Sequence, residues 1–315
     1  MPPPTPICPK CGYDQSGTIA TWSTQCPTQG TCPECGFEFD WFNIFNPEHN
    51  NLRWFVEHAR SPFQSIRRTP STLFRLMFPN RFWKQVQLTI SLKPKALVIW
   101  YILFTLLLHT LLVLPYVMYY YLRNKSLNNW YWSHFQSRGL YAYPELAFNA
   151  FFQGIFEIQS PMGANGFNAT WIQFTGWPAF INLFARPISF SLGVNLMWLT
   201  ILLVIPTTRK IAKIRKAHVC RAFVLSMLCT FIIFETNRFS TKGISFYWYA
   251  HQEILGRRPL VQLLVIWQIL FWPAAIIQGW QIKPAKLIIT LGTIAALLAG
   301  FLLNITIFIL PDLIN

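Results

Sequence analysis

Five apolar runs, at roughly 96–122, 187–206, 217–236, 260–280 and 286–310, constrain this chain more than anything else in it. At about 1.5 Å per residue, each is long enough to cross a hydrocarbon layer of about 30 Å. Backbone amides find no water there, and the runs lack the alternation of strands, so helices are the spanning form that satisfies them. Composition agrees, since only 12% of residues are charged, about half the share usual in soluble domains. A disordered chain and a basic nucleic-acid-binding tail are both excluded on that ground. The pattern predicts an all-α integral membrane bundle of about five transmembrane helices over 96–315.

The 26 Lys and Arg against 11 Asp and Glu then orient the bundle. The connection 207–216 carries Arg209, Lys210, Lys213, Arg215 and Lys216 without an acid, which marks it as cytoplasmic. Putting the amino end on the same side leaves 18 of the 26 bases inside and 8 outside. The expected protein is a multi-pass component of the cell (inner) membrane, with a cytoplasmic N-terminus and its C-terminus across the bilayer. The opening MPPPTP lacks the basic-then-apolar pattern of a secretory signal, in keeping with that placement. The connection 123–186 is too aromatic for a disordered linker and is expected to lie along the interface. Pro144 to Ile158 reads as an interfacial helix, and Asn168-Ala-Thr170 fits a glycosylation sequon.

Five of the seven cysteines fall within the first 35 residues, which in a reducing compartment points to a metal before a disulfide framework. Cys8-Pro9-Lys10-Cys11-Gly12 and Cys32-Pro33-Glu34-Cys35-Gly36 are two copies of one knuckle. Two intervening residues let paired thiolates meet one ion, and the glycine permits the tight turn that aims backbone N–H groups at sulfur. Cys8, Cys11, Cys32 and Cys35 are therefore the expected ligands of a structural Zn2+, with iron as the alternative and Cys26 outside the shell. Tyr13, Trp22, Phe37, Phe39 and Trp41 are expected to gather around the site. Residues 1–45 then form a small zinc ribbon of short β-hairpins, too small to fold without its metal. Residues 1–52 hold Lys10 against Asp14, Glu34, Glu38, Asp40 and Glu48, so the ribbon should repel phosphate, and no nucleic acid is expected there. Docking onto a protein, or onto the chain's own membrane domain, suits it better.

Residues 46–95 form a basic aromatic juxtamembrane segment. From Arg53 to Lys95 there are nine bases and one acid, Glu57, interleaved with Trp54, Phe55, Phe63, Phe74, Phe78, Phe82 and Trp83. Leu73, Phe74, Met77 and Phe78 at helical spacing predict short interfacial helices, broken by Pro62, Pro70 and Pro79. Simple obedience to the positive-inside rule is the plainer reading of the same bases.

Within the runs, His109 is the costly group, and the sequence gives it no evident partner, since His218 and Glu235 sit at opposite ends of the third run. Gln268, Gln278 and Asn304 read as interhelical hydrogen-bonding groups. Gly292, Ala296 and Gly300 recur along one face of the last run and predict close packing, within the chain or between subunits. Pro115 and Pro273 are expected to kink their helices. Nucleotide-binding, nucleophile-elbow and metalloprotease motifs are missing from the sequence, so no enzyme is expected.

The knuckle Cys8-Pro-Lys-Cys-Gly-Tyr-Asp, closed by Cys32-Pro-Glu-Cys-Gly, resembles a group of bacterial zinc-ribbon membrane proteins whose ribbon precedes several apolar spans. Those proteins often continue as Tyr-Asp-Leu-Arg-Gly, where this chain has Tyr13-Asp14-Gln15-Ser16-Gly17. From Thr69-Pro70 into the five runs, the architecture resembles the Yip-type membrane domain. The resemblance implies membrane organisation without catalytic residues. The expected role is a non-enzymatic scaffold or accessory subunit of a larger complex, in contact with the lipid bilayer, whose ribbon docks a protein partner. A transporter or haem-binding redox subunit using His109 is the alternative. A membrane-tethered regulator binding nucleic acid through 53–95 is the third class.

Overall fold

The computed structural model describes residues 6–23, 25–127, 186–205, 208, 212–248, 259–282 and 285–314. In chain order its main elements are α1 (Ser16–Ala20), β1 (Gln29–Thr31), β2 (Glu38–Asp40), α2 (Trp41–Phe45), α3 (Pro62–Leu76), α4 (Pro79–Gln85) and α5 (Pro94–Leu127). After these come α6 (Arg186–Leu199), α7 (Lys216–Trp248), α8 (Pro259–Ala274) and α9 (Ala285–Ile314). The single sheet among the described residues is the antiparallel pair β1–β2, with Gly30 opposite Phe39.

Three stretches are long and apolar enough to cross a membrane: Pro94–Leu112 in α5, Lys216–Ile233 in α7 and Ala285–Thr306 in α9. The other two expected spans form shorter apolar helices, Ser189–Val204 and Leu263–Gly279, each ending in a wider π turn. Of the five expected spans, three have helices of sufficient length among the described residues, and the other two fall on helices shorter than a span. Pro273 explains one π turn, because it withholds an N–H from the ladder and the backbone widens directly after it. Helix α5 runs on through Pro115. The interfacial helix predicted at 144–158 and the sequon at Asn168 lie outside the described residues.

Helix α7 is the hub, packed against α5, α6 and α8, while α9 lies along α6. The α6–α9 contact uses the small-residue stripe read from the sequence. A Cβ on Gly300 would stand 2.8 Å from the Phe190 carbonyl, and one on Gly292 would stand 2.6 Å from the Trp198 ring. The stripe is consumed within the chain. Polar groups cross-link the same bundle, as expected where an unpaired group has no water to turn to. Ser191 and Thr230 hydroxyls meet at 2.6 Å, and Gln268 donates to both. Trp272 donates to Asn195 at 3.1 Å, and Asn304 to Ser189 at 3.0 Å.

The segment before α5 is more ordered than its prolines predict. Pro62 and Pro79 open α3 and α4 at positions where a missing N–H costs nothing, with Ser61 capping α3 through the Gln64 N–H. Pro70 does not break α3. It sits on the exposed side, between Thr69 and Thr72, which anchor the helix inward: Thr69 accepts from the Trp100 indole at 2.9 Å, and Thr72 accepts from the Val56 N–H at 3.1 Å. Trp83 of α4 fills the space beneath α8, against Phe271 and Trp280, and a Cβ on Gly279 would lie 2.7 Å from its ring. Side chains of the segment 46–95 therefore share one core with the helical bundle.

A buried ion pair fastens it there. Glu57 and Arg221 are almost wholly excluded from solvent and meet at 2.7 Å, with a second contact of 3.0 Å. The Lys93 N–H donates to the same carboxylate, and the Ser91 carbonyl accepts from the guanidinium. His58 completes the cluster, accepting from the Leu52 N–H and facing the Ser91 carbonyl with its other nitrogen. Burial holds its imidazole below the ordinary pKa. An unfolded chain therefore takes up a proton below about pH 6.5 that the native state refuses. The expected melting temperature is flat above that pH and falls below it, and His58→Gln should blunt the fall, as read by thermal unfolding in detergent. In the same assay Arg221→Leu, which strands a buried carboxylate, should cost about 3–5 kcal/mol, and adding Glu57→Leu should recover most of the loss.

Candidate metal centre

Each knuckle turns on its glycine. Gly12 and Gly36 adopt φ of +82° and +63°, a region that disfavours side chains, and each N–H returns to the carbonyl of the knuckle's first cysteine. The Cys8 N–H bonds the Tyr13 carbonyl and the Cys32 N–H bonds the Phe37 carbonyl, so the two turns repeat one geometry. They face each other. All four sulfurs of Cys8, Cys11, Cys32 and Cys35 lie within 4.8 Å of one another, with Cys8–Cys35 at 3.7 Å and Cys11–Cys32 at 3.6 Å. A tetrahedral shell at a metal–sulfur distance of about 2.3 Å puts sulfurs about 3.8 Å apart, so the donor set fits a metal ion without rearrangement.

Electrostatics around the sulfurs point the same way. Burial pushes the Cys8 thiol well up, against the pull of N–H groups from Cys11 and Lys10. Burial also drives Cys35 up to about 11. At Cys32 burial acts upward too, but N–H groups of Cys35 and Glu34 and the neighbouring thiols outweigh it and lower the value. Four crowded, partly buried sulfurs ionise together only beside a cation, and four soft donors suit zinc or iron.

Cys26 is exposed and apart from this cluster, bonded at most to the Pro27 carbonyl. Trp22, Phe37, Phe39 and Trp41 pack around the site as expected, with Trp41 edge-on to Trp22 at 4.7 Å. Tyr13 is half-exposed and contributes its carbonyl instead of its ring.

Three carbonyls of the two knuckles, those of Pro9, Lys10 and Glu34, are bonded by a later stretch of the same chain. His218 bonds the Pro9 carbonyl at 2.8 Å, the Arg215 N–H bonds the Lys10 carbonyl at 2.8 Å, and the Lys213 ammonium meets the Glu34 carbonyl. Both knuckles are held by residues 213–218. Lys213 takes a φ of +45°, unusual for a side-chain-bearing residue, and marks where the connection bends beneath the ribbon. The Arg215 stem lies against Gly12.

Sequence reasoning found the four cysteines and allowed a dock onto the chain's own membrane domain, but it missed the residues that make the dock and two charge pairs. His109 is not without a partner: its Nδ1 lies 3.1 Å from the Glu235 carboxylate. Helices α5 and α7 bring the two together from 126 positions apart. The available signal was isolation, since Glu57 is the one acid between Arg53 and Lys95 and Glu235 the one acid in the run 217–236, and a lone charge in such a place needs a mate.

Comparison of the chain with protein-family models, with curated proteins and with solved structures gives no match.

Elemental analysis of purified protein should give about one zinc or iron per chain. Serine at any of Cys8, Cys11, Cys32 or Cys35 should abolish it, and Cys26→Ser should leave it unchanged. Strong chelation, or acidification that protonates the thiolates, should expose the 6–45 region to protease.

Proposed function

We propose that this protein is a non-enzymatic integral membrane scaffold, or accessory subunit, whose Zn2+-stabilised ribbon organises the cytoplasmic end of a five-helix bundle and offers its outer face to a protein partner. The observation that carries this reading is the threefold grip of Lys213, Arg215 and His218 on the knuckle carbonyls. That grip makes the ribbon a fixed part of the membrane domain instead of a tethered probe. Four thiolates leave the metal no open position for catalysis, which favours a structural ion. In this orientation the ribbon and 207–216 are cytoplasmic and the C-terminus lies across the cell membrane.

Charge supports the same arrangement. The acidic ribbon, made more negative by a Zn(Cys)4 centre, is matched by the basic 207–216 connection, so the bases that orient the chain also hold the ribbon. Away from that grip the ribbon carries exposed Glu38 and Asp40 near exposed Phe42 and Phe45 in sequence. Such a face suits a basic protein surface with an apolar centre and repels nucleic acid.

Affinity purification from native membranes should recover a companion in constant ratio, and Phe42→Ala/Glu38→Lys should release it without loss of metal. Retention of that companion by the double variant would overturn the docking face. His218→Ala should leave the metal in place yet raise protease sensitivity between residues 6 and 45.

A second reading rests on the His109–Glu235 pair. His109 Nε2 and Glu235 Oε2 are buried without a hydrogen-bond partner among the described residues, an arrangement that can accept a proton or a ligand. A Soret band or proton flux from purified protein, lost in His109→Leu, would favour a redox or transport subunit.

A further inference from the structure

Helix α3 is inside out by the standards of a soluble protein. Its inward face carries Thr69, Thr72 and Leu76, while Phe63, Ile66 and Phe74 face outward, with exposed Met77 and Phe78 just beyond the helix end. These five large apolar side chains are 46–75% exposed. At about 100° per residue they fall, with exposed Pro70, within roughly a third of the helix circumference. A continuous stripe of this kind marks an interaction surface.

The helix does not stand free of the apolar body. Its inward face bonds the Trp100 indole, six residues into the α5 span. Its last turn accepts from the Trp267 indole of the Leu263–Gly279 helix at 3.0 Å. Helix α3 therefore lies beside the helices that match a membrane interior, with its stripe turned away from them. Those neighbours also show apolar side chains outward, Ile102, Leu103 and Leu106 among them.

Charge selects the occupant. Between residues 53 and 95 the one acid, Glu57, is buried against Arg221, so every exposed charge in the segment is positive. Glu48, just before it, pairs with Arg60 and Lys93. Arg53, Arg67, Arg81, Lys84 and Lys95 are exposed and in no ion pair among the described residues. Arg67 falls within the stripe's own arc, between Phe74 and Phe78, and Arg81 lies 5.8 Å from the Phe78 ring. A wide apolar stripe accompanied by long basic side chains, with no exposed acid among them, is complementary to acyl chains beneath anionic headgroups.

We propose that α3 is an in-plane helix of the membrane that the long helices cross, its stripe immersed among acyl chains and its exposed bases bound to anionic phospholipid headgroups. This rests on the membrane reading and adds to it a lipid-binding surface, with Phe63, Ile66, Phe74 and Met77 as its apolar contacts and Arg67, Arg81 and Lys84 as its headgroup contacts. It extends the plainer positive-inside reading, since the bases contact lipid as well as setting orientation.

The test places a photo-crosslinking phenylalanine analogue at Phe74, or at Leu103 as a reference, in full-length protein in native membranes. Leu103 reports whether the bundle is in lipid at all. With a lipid-mass adduct at Leu103, a lipid-mass adduct at Phe74 is the expected result. A protein-mass adduct at Phe74, from a second copy or another chain, or no adduct there, would overturn the proposal while leaving the membrane reading intact. Failure at Leu103 would sink both. The headgroup half is read separately, in protein purified from vesicles of equal phosphatidylglycerol and phosphatidylcholine. Arg67→Gln/Arg81→Gln/Lys84→Gln should retain at least about threefold less phosphatidylglycerol at unchanged phosphatidylcholine, and equal retention would refute headgroup binding.

Discussion

Glu57 and Arg221 are 164 positions apart and meet where neither can be hydrated. A single charge in that position would be intolerable, and two together are tolerable only at short range with their remaining lone pairs and protons satisfied. That condition dictates much of the architecture. The 3-10 turn Val56–His58 must press against α7, Ser91 and Lys93 must approach from the other side, and α5 must start where Lys93 leaves it. The cost of an unmatched charge thus sets the register between the juxtamembrane segment and the bundle more firmly than apolar packing, which is tolerant of small slips.

The ribbon follows the same logic with weaker forces. Its metal position closes the knuckles, and closed knuckles hold the carbonyls of Pro9, Lys10 and Glu34 in a fixed pattern. Residues 213–218 read that pattern with a backbone N–H, an imidazole and an ammonium. Phe37 packs against both the ribbon's small aromatic core and the larger core below, joining the two. The two knuckles are repeats in sequence, but their uses differ, because one offers two carbonyls and the other one.

The helices and the cysteine cluster were legible because each follows from a short-range rule: apolar length for a span, two-residue spacing for a pair of ligands. The stripe at Gly292, Ala296 and Gly300 was equally plain, and the structure decided only that its partner is α6. What sequence did not yield were pairings over long separations, namely Glu57 with Arg221, His109 with Glu235, and Pro9 with His218. Their partners are fixed by how helices pack, which no local spacing encodes. Pro70 misled for a related reason: as a local signal it breaks a helix, yet anchoring by Thr69 and Thr72 carries α3 through it. The amphipathic spacing of Phe74, Met77 and Phe78 was legible as well, and these side chains do lie on the outer side at the end of α3.

The dock joining Pro9 to His218 also imposes an order on how the molecule is made. Ribosomes deliver the amino end first, and 209 residues separate the two groups. At about 5–20 residues per second, the knuckles exist for on the order of 10–40 s before their docking segment has been synthesised. A metal ion can therefore be captured by the nascent chain, whereas the dock can form only after residues 213–218 have been made.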